Sequence, residues 1–395
     1  MSYYNNVGID LGDKKVELDI VEELQQHDNF EINDFLTEMV KFGVSDLHIV
    51  ADKQPIYRKN GKIQTATNYP ILSEEIIINS IKQILPKESL NSKFFQKLET
   101  ASDFDFCYEI DDVSRFRINV CYRMYKIGMV IRVIPLEPIK LSDLHLPPAL
   151  KNVAQLNNGL VLVTGPTGSG KSTSLASLLD YINENQQKHI ITLEDPVEFV
   201  FENKNCVISQ RQIEFDTPDF STGVKYALRQ DPDIIFIGEI RDVETLTSAL
   251  KAAETGHLVF STLHTNDAVQ TINRIINLFE PSQRPFLRQQ LASTLRATLA
   301  QKLVPTVDGK SRRPACELLV VTSTVQDLIL KDEIESIYSL VKTGSFNQMI
   351  TMNTSLYQLY KAGIISAESA VMASDNKNEL QQMMRGMYHG VSRDN

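Results

Sequence analysis

Hydrophobic positions between residues 30 and 135 repeat at helical spacing in some segments and alternate in others. Apolar side chains at Ile32, Phe35, Leu36 and Met39 predict a helix that ends at Gly43. The same reasoning predicts a second helix at Ser73–Leu85 and a hairpin turn at Asn60-Gly61. It also predicts four strands, at Asp46–Val50, Phe104–Ile110, Ser114–Tyr122 and Gly128–Ile134. This mixture predicts an α+β sheet domain.

Strand and helix patterns alternate in the second part of the chain, which predicts a mostly parallel sheet with crossover helices. The predicted strands are Leu160–Thr164, His189–Leu193, Asp233–Ile237 and Leu258–Thr262. The predicted helices are Lys171–Tyr181, Asp242–Thr255 and Asp267–Phe279, and the tail from Thr322 is mainly helical, most clearly at Asp327–Leu340 and Ser355–Ala362. We therefore predict an α/β fold in this part.

These patterns divide the chain into four parts: an acidic extension (1–29), an α+β domain (30–135), a proline-containing linker (136–148) and an α/β domain with carboxy-terminal helices (149–395). Within the extension, Val7–Gly12 is similar to a phosphate-binding motif of actin-like ATPases. Because a different pattern begins within twenty residues, we favour a short strand or an arm there.

Composition narrows the class of protein. The 395 residues include 40 Lys and Arg against 50 Asp and Glu, a formal charge of −10 that disfavours direct binding to nucleic acid. The apolar runs are too short to cross a bilayer and the amino terminus does not resemble a signal peptide, so we expect a cytoplasmic protein. Four cysteines without a C-x-x-C pair predict buried, reduced thiols instead of a zinc site or disulfides.

One motif indicates nucleotide chemistry directly. Residues 165–172 fit G-x-x-x-x-G-K-[ST] between a predicted strand and a predicted helix, where backbone N–H groups can surround phosphates. Lys171 is expected to reach the β- and γ-phosphates, and Ser172 to bind Mg²⁺. The predicted nucleotide contacts are Gly165, Pro166, Thr167, Gly168, Ser169, Gly170, Lys171, Ser172 and Thr173.

Two carboxylates follow buried strands and complete a hydrolytic set. Glu239 ends the segment that begins at Asp233, and we expect it to hold Mg²⁺ through its water shell. Glu194 precedes Pro196, which stops its strand, and could orient and deprotonate the attacking water. Either acid alone could equally be a solvated strand end, but the pair after a phosphate loop favours catalysis.

Histidines and arginines supply further candidates. His264 follows the strand Leu258–Thr262, where a sensor of the γ-phosphate would lie. Arg115, Arg117 and Arg132 lie on predicted strands of the first domain, either as solvated or paired side chains or as arginine fingers toward a neighbouring subunit.

These residues resemble the secretion and type IV pilus ATPases, most closely the PilT-type retraction motors, over about Glu31 to Arg385. The motifs that carry the resemblance are S-D-L-H at Ser45–His48, R-F-R at Arg115–Arg117, the phosphate loop, I-T-L-E-D-P-V-E-F around Glu194, A-L-R-Q-D-P-D-I-I-F-I-G-E-I-R-D from Ala227 to Asp242, and A-A-E-T-G-H-L-V-F-S-T-L-H-T through His257 and His264.

The resemblance implies a PAS-like first domain, a RecA-like second domain and a homohexamer that hydrolyses ATP with Mg²⁺. It implies Walker A at the loop, an Asp box with Glu194, Walker B with Glu239, and a His box that includes His257 as a nucleotide-binding residue. Arg115, Arg117 and Arg132 are then expected to contact nucleotide across subunits. The implied partners are an inner-membrane pilus platform protein and a paralogous retraction ATPase, which places the motor at the pilus base.

Two departures bear on the branch of this family. The chain lacks the four-cysteine insert of the assembly and secretion ATPases, which favours retraction. The retraction signature A-I-R-N-L-I-R-E appears without its arginines, at Thr324–Lys331, and the ending is closer to PilU-type accessory ATPases. The chain could also be an assembly or type II secretion ATPase, a regulatory subunit with little turnover, a GTPase switch or a DNA-translocating motor. The absence of an N-K-x-D motif disfavours the GTPase.

Overall fold

The computed structural model describes residues 29–59, 61–86, 93–344 and 347–386. Nearly all of the predicted acidic extension, including Val7–Gly12, lies outside the described residues, as does Asn60 of the predicted hairpin turn. The mixed α/β fold class is confirmed, with one antiparallel sheet and one mostly parallel sheet. The domain boundaries at residues 135 and 148 stay predictions.

The first sheet of the described residues has six antiparallel strands in the order β3-β2-β1-β6-β5-β4. The strands are β1 (Asp46–Val50), β2 (Ile56–Lys59), β3 (Lys62–Thr65), β4 (Phe104–Ile110), β5 (Ser114–Arg123) and β6 (Lys126–Ile134). The helices are α1 (Ile32–Lys41), α2 (Glu74–Ile84) and α3 (Lys93–Glu99). The two predicted helices and four predicted strands are therefore present, β2 and β3 flank the predicted hairpin turn, and α3 is additional.

Strand β5 shows how the alternation of the sequence orients this sheet. Phe116, Ile118 and Val120 are fully buried in the core beneath α1 and α2. Because successive strand residues face opposite sides, Arg115 and Arg117 lie on the other face. That face is turned toward the segment that follows Glu194.

The second sheet has seven strands within the described residues, in the order β13-β12-β7-β11-β10-β8-β9. They are β7 (Gly159–Thr164), β8 (His189–Glu194), β9 (Val207–Gln212), β10 (Ile234–Ile237), β11 (Leu258–Leu263), β12 (Leu295–Pro305) and β13 (Arg312–Val320). All pairs are parallel except the β12–β13 hairpin. Strands β7, β10 and β11 are buried at every position, as expected for parallel strands covered on both faces.

Helices cover this sheet and form the tail. They are α4 (Leu150–Val153), α5 (Lys171–Asn185), α6 (Phe220–Ala227), α7 (Val243–Glu254), α8 (Ala268–Asn277), α9 (Arg284–Thr294), α10 (Ser323–Lys331), α11 (Ile337–Thr343), α12 (Met352–Lys361), α13 (Ala367–Ala373) and α14 (Lys377–Met384). No helix in the described part of the chain combines the length and the apolar character that crossing a membrane requires.

Three expectations need correction. The predicted helix over residues 327–340 is wrong, because Asp332 adopts a left-handed conformation (φ 64°) that ends α10 at Lys331. The β12–β13 hairpin is absent from the predicted elements, since the leucines and alanines of β12 also suit a helix. All four cysteines are free, but only Cys206 and Cys316 are buried, whereas Cys107 and Cys121 are half-buried.

Candidate nucleotide-binding site

The carboxyl ends of four neighbouring parallel strands bring the predicted catalytic residues together. Strand register pairs Thr164 of β7 with Leu263 of β11, and Ile237 of β10 with both Ser261 of β11 and Leu193 of β8. The residues that end or follow these strands are the phosphate loop, His264, Glu239 and Glu194. They therefore line one edge of the sheet, the edge at which open α/β sheets bind ligands.

The loop at residues 165–170 has the backbone of a phosphate cradle. Gly165, Gly168 and Gly170 have φ values of 144°, 78° and 90°, which residues with a Cβ rarely adopt. Helix α5 begins directly after the loop, at Lys171, so its free N–H groups point toward the loop. The hydroxyl of Ser169 is buried and has no hydrogen-bond partner among the described residues, as expected where a phosphate oxygen binds.

Lys171 folds back over this loop. Its ammonium donates to the carbonyl oxygens of Gly165 and Pro166 at 2.8 and 3.1 Å. Burial lowers the pKa of Lys171, while the carboxylates of Glu239 and Glu198 raise it. A half-buried ammonium between backbone carbonyls is stabilised by an anion, which fits a nucleotide phosphate. Ser172 and Thr173 lie in the first turn of α5, with Ser172 exposed.

Gln301 of β12 supports the loop, and sequence reasoning missed it because the patterns do not predict β12. A Cβ on Gly165 would meet the Gln301 carbonyl oxygen at 2.3 Å, and a Cβ on Gly170 would meet Gln301 Nε2 at 2.8 Å. Gln301 is itself buried and its Oε1 accepts from the Ser174 hydroxyl at 2.8 Å. The two glycines thus allow the loop to rest directly on this residue.

Glu239 lies between the side chains of Arg241 and His264. Arg241 donates to its Oε1, and His264 Nε2 lies 3.6 Å from its Oε2. The hydroxyl of Thr262 donates to the Gly238 carbonyl at 2.7 Å, which fixes the backbone before Glu239. The structure therefore brings Glu239 and His264 together as expected. It adds Arg241, which the G-E-I-R-D segment of the sequence could have indicated.

Glu194 is buried at the end of β8, with 8% of its surface exposed. Its Oε1 accepts from the Thr192 hydroxyl at 2.6 Å and from Gln210 Nε2 at 3.1 Å. Burial raises the pKa of Glu194 to about 7, although both hydrogen bonds lower it. A carboxylate that titrates near neutral pH can accept a proton from water, as a general base must.

The three arginines of the first sheet have partners within their own chain. Arg115 donates to the Val197 carbonyl at 3.2 Å and pairs with Glu109 at 2.9 Å. Arg117 pairs with Glu198 at 3.1 Å, close to Glu194 in sequence. Arg132 pairs with Asp46 at 3.0 Å and stays 58% exposed. Arg115 and Arg117 therefore hold the segment after Glu194.

His257 does not join the other candidates in this chain. It precedes β11, whereas His264 follows that strand, so a six-residue strand separates them. Its Nδ1 lies 3.0 Å from the Ala252 carbonyl and 3.2 Å from the Thr255 hydroxyl at the end of α7. His257 therefore lies at the amino ends of the parallel strands, whereas the phosphate loop lies at their carboxyl ends. The nucleotide contact of His257 stays a prediction.

Comparisons with known proteins identify relatives of this chain. The family model described as type II/IV secretion system protein matches residues 25–393. The type IV pilus retraction ATPase PilT of Pseudomonas aeruginosa is 39% identical over 340 residues, which cover 86% of this chain and 97% of the relative. The type IV pilus ATPase PilU of the same organism is 38% identical over 355 residues, or 90% and 91% of the two chains.

A solved structure supports the same relation. The pilus retraction motor PilT with bound ADP is 40% identical to this chain and superimposes with a TM-score of 0.81. The match covers 90% of this chain and all of the PilT chain (100%). The resemblance that the sequence motifs indicate is thereby confirmed, together with its nucleotide-binding fold.

We expect Gln301→Ala to weaken nucleotide binding, because the phosphate loop loses the side chain on which Gly170 rests. The loss of about one hydrogen bond predicts that the dissociation constant for nucleotide rises by up to about tenfold. Titration with a fluorescent ADP analogue measures this. Gln358→Ala, at an exposed position of α12, is the matched control. An unchanged affinity of Gln301→Ala would show that the loop does not depend on β12.

We expect ATP turnover to depend on the ionisation of Glu194. Because burial raises its pKa to about 7, the carboxylate form is lost as the pH falls below 7. The predicted kcat therefore drops by about tenfold per pH unit below 7 and levels off above it. Glu194→Gln should be slow at every pH and lack this rise. A Glu194→Gln enzyme with the parent's pH profile would exclude Glu194 as the titrating base.

Proposed function

The chain belongs to the type II/IV secretion system protein family, and from that premise we propose that it is an ATP-hydrolysing motor that powers type IV pilus retraction. The observation that carries this proposal is the meeting of the phosphate loop, Glu194, Glu239 and His264 at one sheet edge. Its relatives include the retraction ATPase PilT and a twitching motility protein of Neisseria gonorrhoeae, 39% identical over 82% of this chain and 86% of that relative.

Each residue has a distinct part in the proposed hydrolysis. Backbone N–H groups of the loop and the Lys171 ammonium bind the phosphates of ATP and stabilise charge that develops on them. Ser172 and Glu239 are the oxygen donors that would hold Mg²⁺, whose positive charge offsets that of the phosphates. Glu194 takes a proton from the attacking water, and His264 contacts the γ-phosphate from beside Glu239.

We further propose that the working form is a homohexamer in which arginines of the first sheet reach a neighbouring subunit's nucleotide. Arg132 suits this role because it is mostly exposed and pairs with a single carboxylate, that of Asp46. Arg115 and Arg117 would have to exchange their contacts with Val197 and Glu198. The motor would work on the cytoplasmic side of the inner membrane, against a pilus platform protein.

An accessory, PilU-like role is the second candidate. The segment that departs from the retraction signature forms α10, and Leu330 is 48% exposed there, where the signature has an arginine. Fewer cationic contacts on this face would weaken electrostatic coupling to a platform protein. The similar identities to PilT and PilU are compatible with either role.

Deletion of this protein should leave cells with excess, immobile surface pili, because subunits would be added and not withdrawn. Lys171→Ala should reproduce that phenotype, since it removes the cation of the phosphate cradle. Lys225→Ala, an exposed lysine of α6, should behave like the parent. Fluorescence microscopy of labelled pili measures all three. Bald cells after deletion would instead show an assembly ATPase.

A strain that lacks every other retraction ATPase separates the two candidates. With this protein as its sole retraction ATPase, normal retraction speed and force would establish a complete motor. Weak or absent retraction that a PilT-type paralogue restores would establish the accessory role.

Mixed hexamers test the arginines. If Arg132 acts across subunits, inactive Arg132→Ala subunits mixed with inactive Lys171→Ala subunits should regain hydrolysis, because each supplies what its neighbour lacks. Arginine fingers in other systems raise rates by about 10³–10⁵, so partial recovery is measurable. The same mixing applies to Arg115→Ala and Arg117→Ala. If no mixture recovers activity although mass spectrometry shows mixed hexamers, arginines of the first sheet are not fingers.

A further inference from the structure

Glu317 is a buried carboxylate for which the proposed hydrolysis has no use. It lies in β13 with 3% of its surface exposed. Its Oε1 accepts from the backbone N–H of Ala268 at 2.9 Å, and its Oε2 accepts from the backbone N–H of Met352 at 3.3 Å. Ala268 and Met352 are the first residues of α8 and α12. One side chain therefore joins the amino ends of two ten-residue helices.

The first of these helices is connected directly to the candidate sensor. Only three residues, Thr265 to Asp267, separate His264 from Ala268. They form a tight connection, because the Thr265 and Thr271 hydroxyls lie 2.7 Å apart and Asp267 accepts from the Gln270 backbone N–H at 2.7 Å. The loop that carries His264 is therefore attached to the start of α8, where the Ala268 N–H donates to Glu317.

The second helix organises the carboxy-terminal tail. Asn353, next to Met352, donates to the Asn376 carbonyl at 3.0 Å and to Glu379 at 2.8 Å. Its Oδ1 accepts from the Ser374 hydroxyl at 2.6 Å. The start of α12 is thus fixed to the residues that lead into α14.

The surroundings of Glu317 make the buried carboxylate sensitive to the loss of either hydrogen-bond donor. Burial, helped by the nearby carboxylates of Asp267 and Asp375, raises the pKa of Glu317 to about 7, although the two backbone donors lower it. Lys302 of β12 pairs with Asp375 at 2.7 Å and offsets part of that negative charge. A buried carboxylate that loses one of its donors becomes costly. The bonds to α8 and α12 therefore depend on each other.

We propose that Glu317 is a positioning residue that couples the loop of His264 to the carboxy-terminal helices. When nucleotide binding displaces this loop, Glu317 shifts with Ala268 and changes the position of α12. The coupling rests on the proposed function only in assigning a nucleotide contact to His264. It gives the motor an internal connection between its nucleotide site and the tail that departs from the retraction signature.

Hydrogen exchange on the full-length protein tests this coupling. The probe is magnesium, ADP and beryllium fluoride, compared with nucleotide-free protein, and the readout is the exchange of the Ala268 and Met352 amides. In the parent, both amides should respond to the probe. In Glu317→Gln, the response at Ala268 should persist and the response at Met352 should be lost. Steady-state kinetics of Glu317→Gln should show a kcat about tenfold lower than that of the parent and an unchanged KM, because the lost coupling acts after ATP has bound.

Two further variants control for folding and charge. Ala268→Pro removes the N–H that donates to Glu317, at the first position of a helix, where proline suits the backbone, and should abolish the response at Met352 as well. Glu368→Gln, the same change at an exposed site of α13, should leave both responses intact.

The outcomes separate the two proposals. No response at Ala268 in the parent would contradict the sensor role of His264. A response at Ala268 without one at Met352 in the parent, or a parent-like response at Met352 in both Glu317→Gln and Ala268→Pro, would overturn the coupling alone.

Discussion

The register of four parallel strands is the constraint on which the site depends. Because β7, β11, β10 and β8 run in one direction and are in register, whatever follows each strand appears at the same edge. The phosphate loop and His264, which are far apart in sequence, therefore become neighbours. A shift of one residue in any of these strands would move each side chain to the opposite face, where it would meet a different layer of helices, so the packing that stabilises the sheet also fixes the site.

This edge combines groups that are poorly solvated. Lys171 folds onto carbonyls, Glu239 lies between Arg241 and His264, and Glu194 is buried with a raised pKa. Each charge has a protein partner, yet each partner could be exchanged for a phosphate, a water or a cation. The same sheet continues through β12, where Gln301 supports the loop, to β13, where Glu317 joins two helices. The nucleotide site and the carboxy-terminal helices are therefore connected through one sheet.

Much of this arrangement could be predicted from the sequence. Strands such as β4 and β10 have strong local patterns, and the phosphate loop needs its glycines in a fixed order. Such strands and the loop can therefore be recognised from the sequence alone. Gln301 and Glu317 could not be found that way. They lie on the unpredicted β12–β13 hairpin, and their roles come from contacts with residues more than thirty positions away. The separation of His257 from His264 was predictable, because the predicted strand Leu258–Thr262 lies between them and the structure contains it as β11.

Locating the bound nucleotide tests the central claim most directly. Electron cryomicroscopy of the full-length protein with magnesium, ADP and beryllium fluoride should show the phosphates between the loop at residues 165–172 and Glu239, with His264 next to the beryllium fluoride. Nucleotide density away from this sheet edge, or phosphates that Lys171 does not contact, would contradict the claim that the strand register builds the catalytic site.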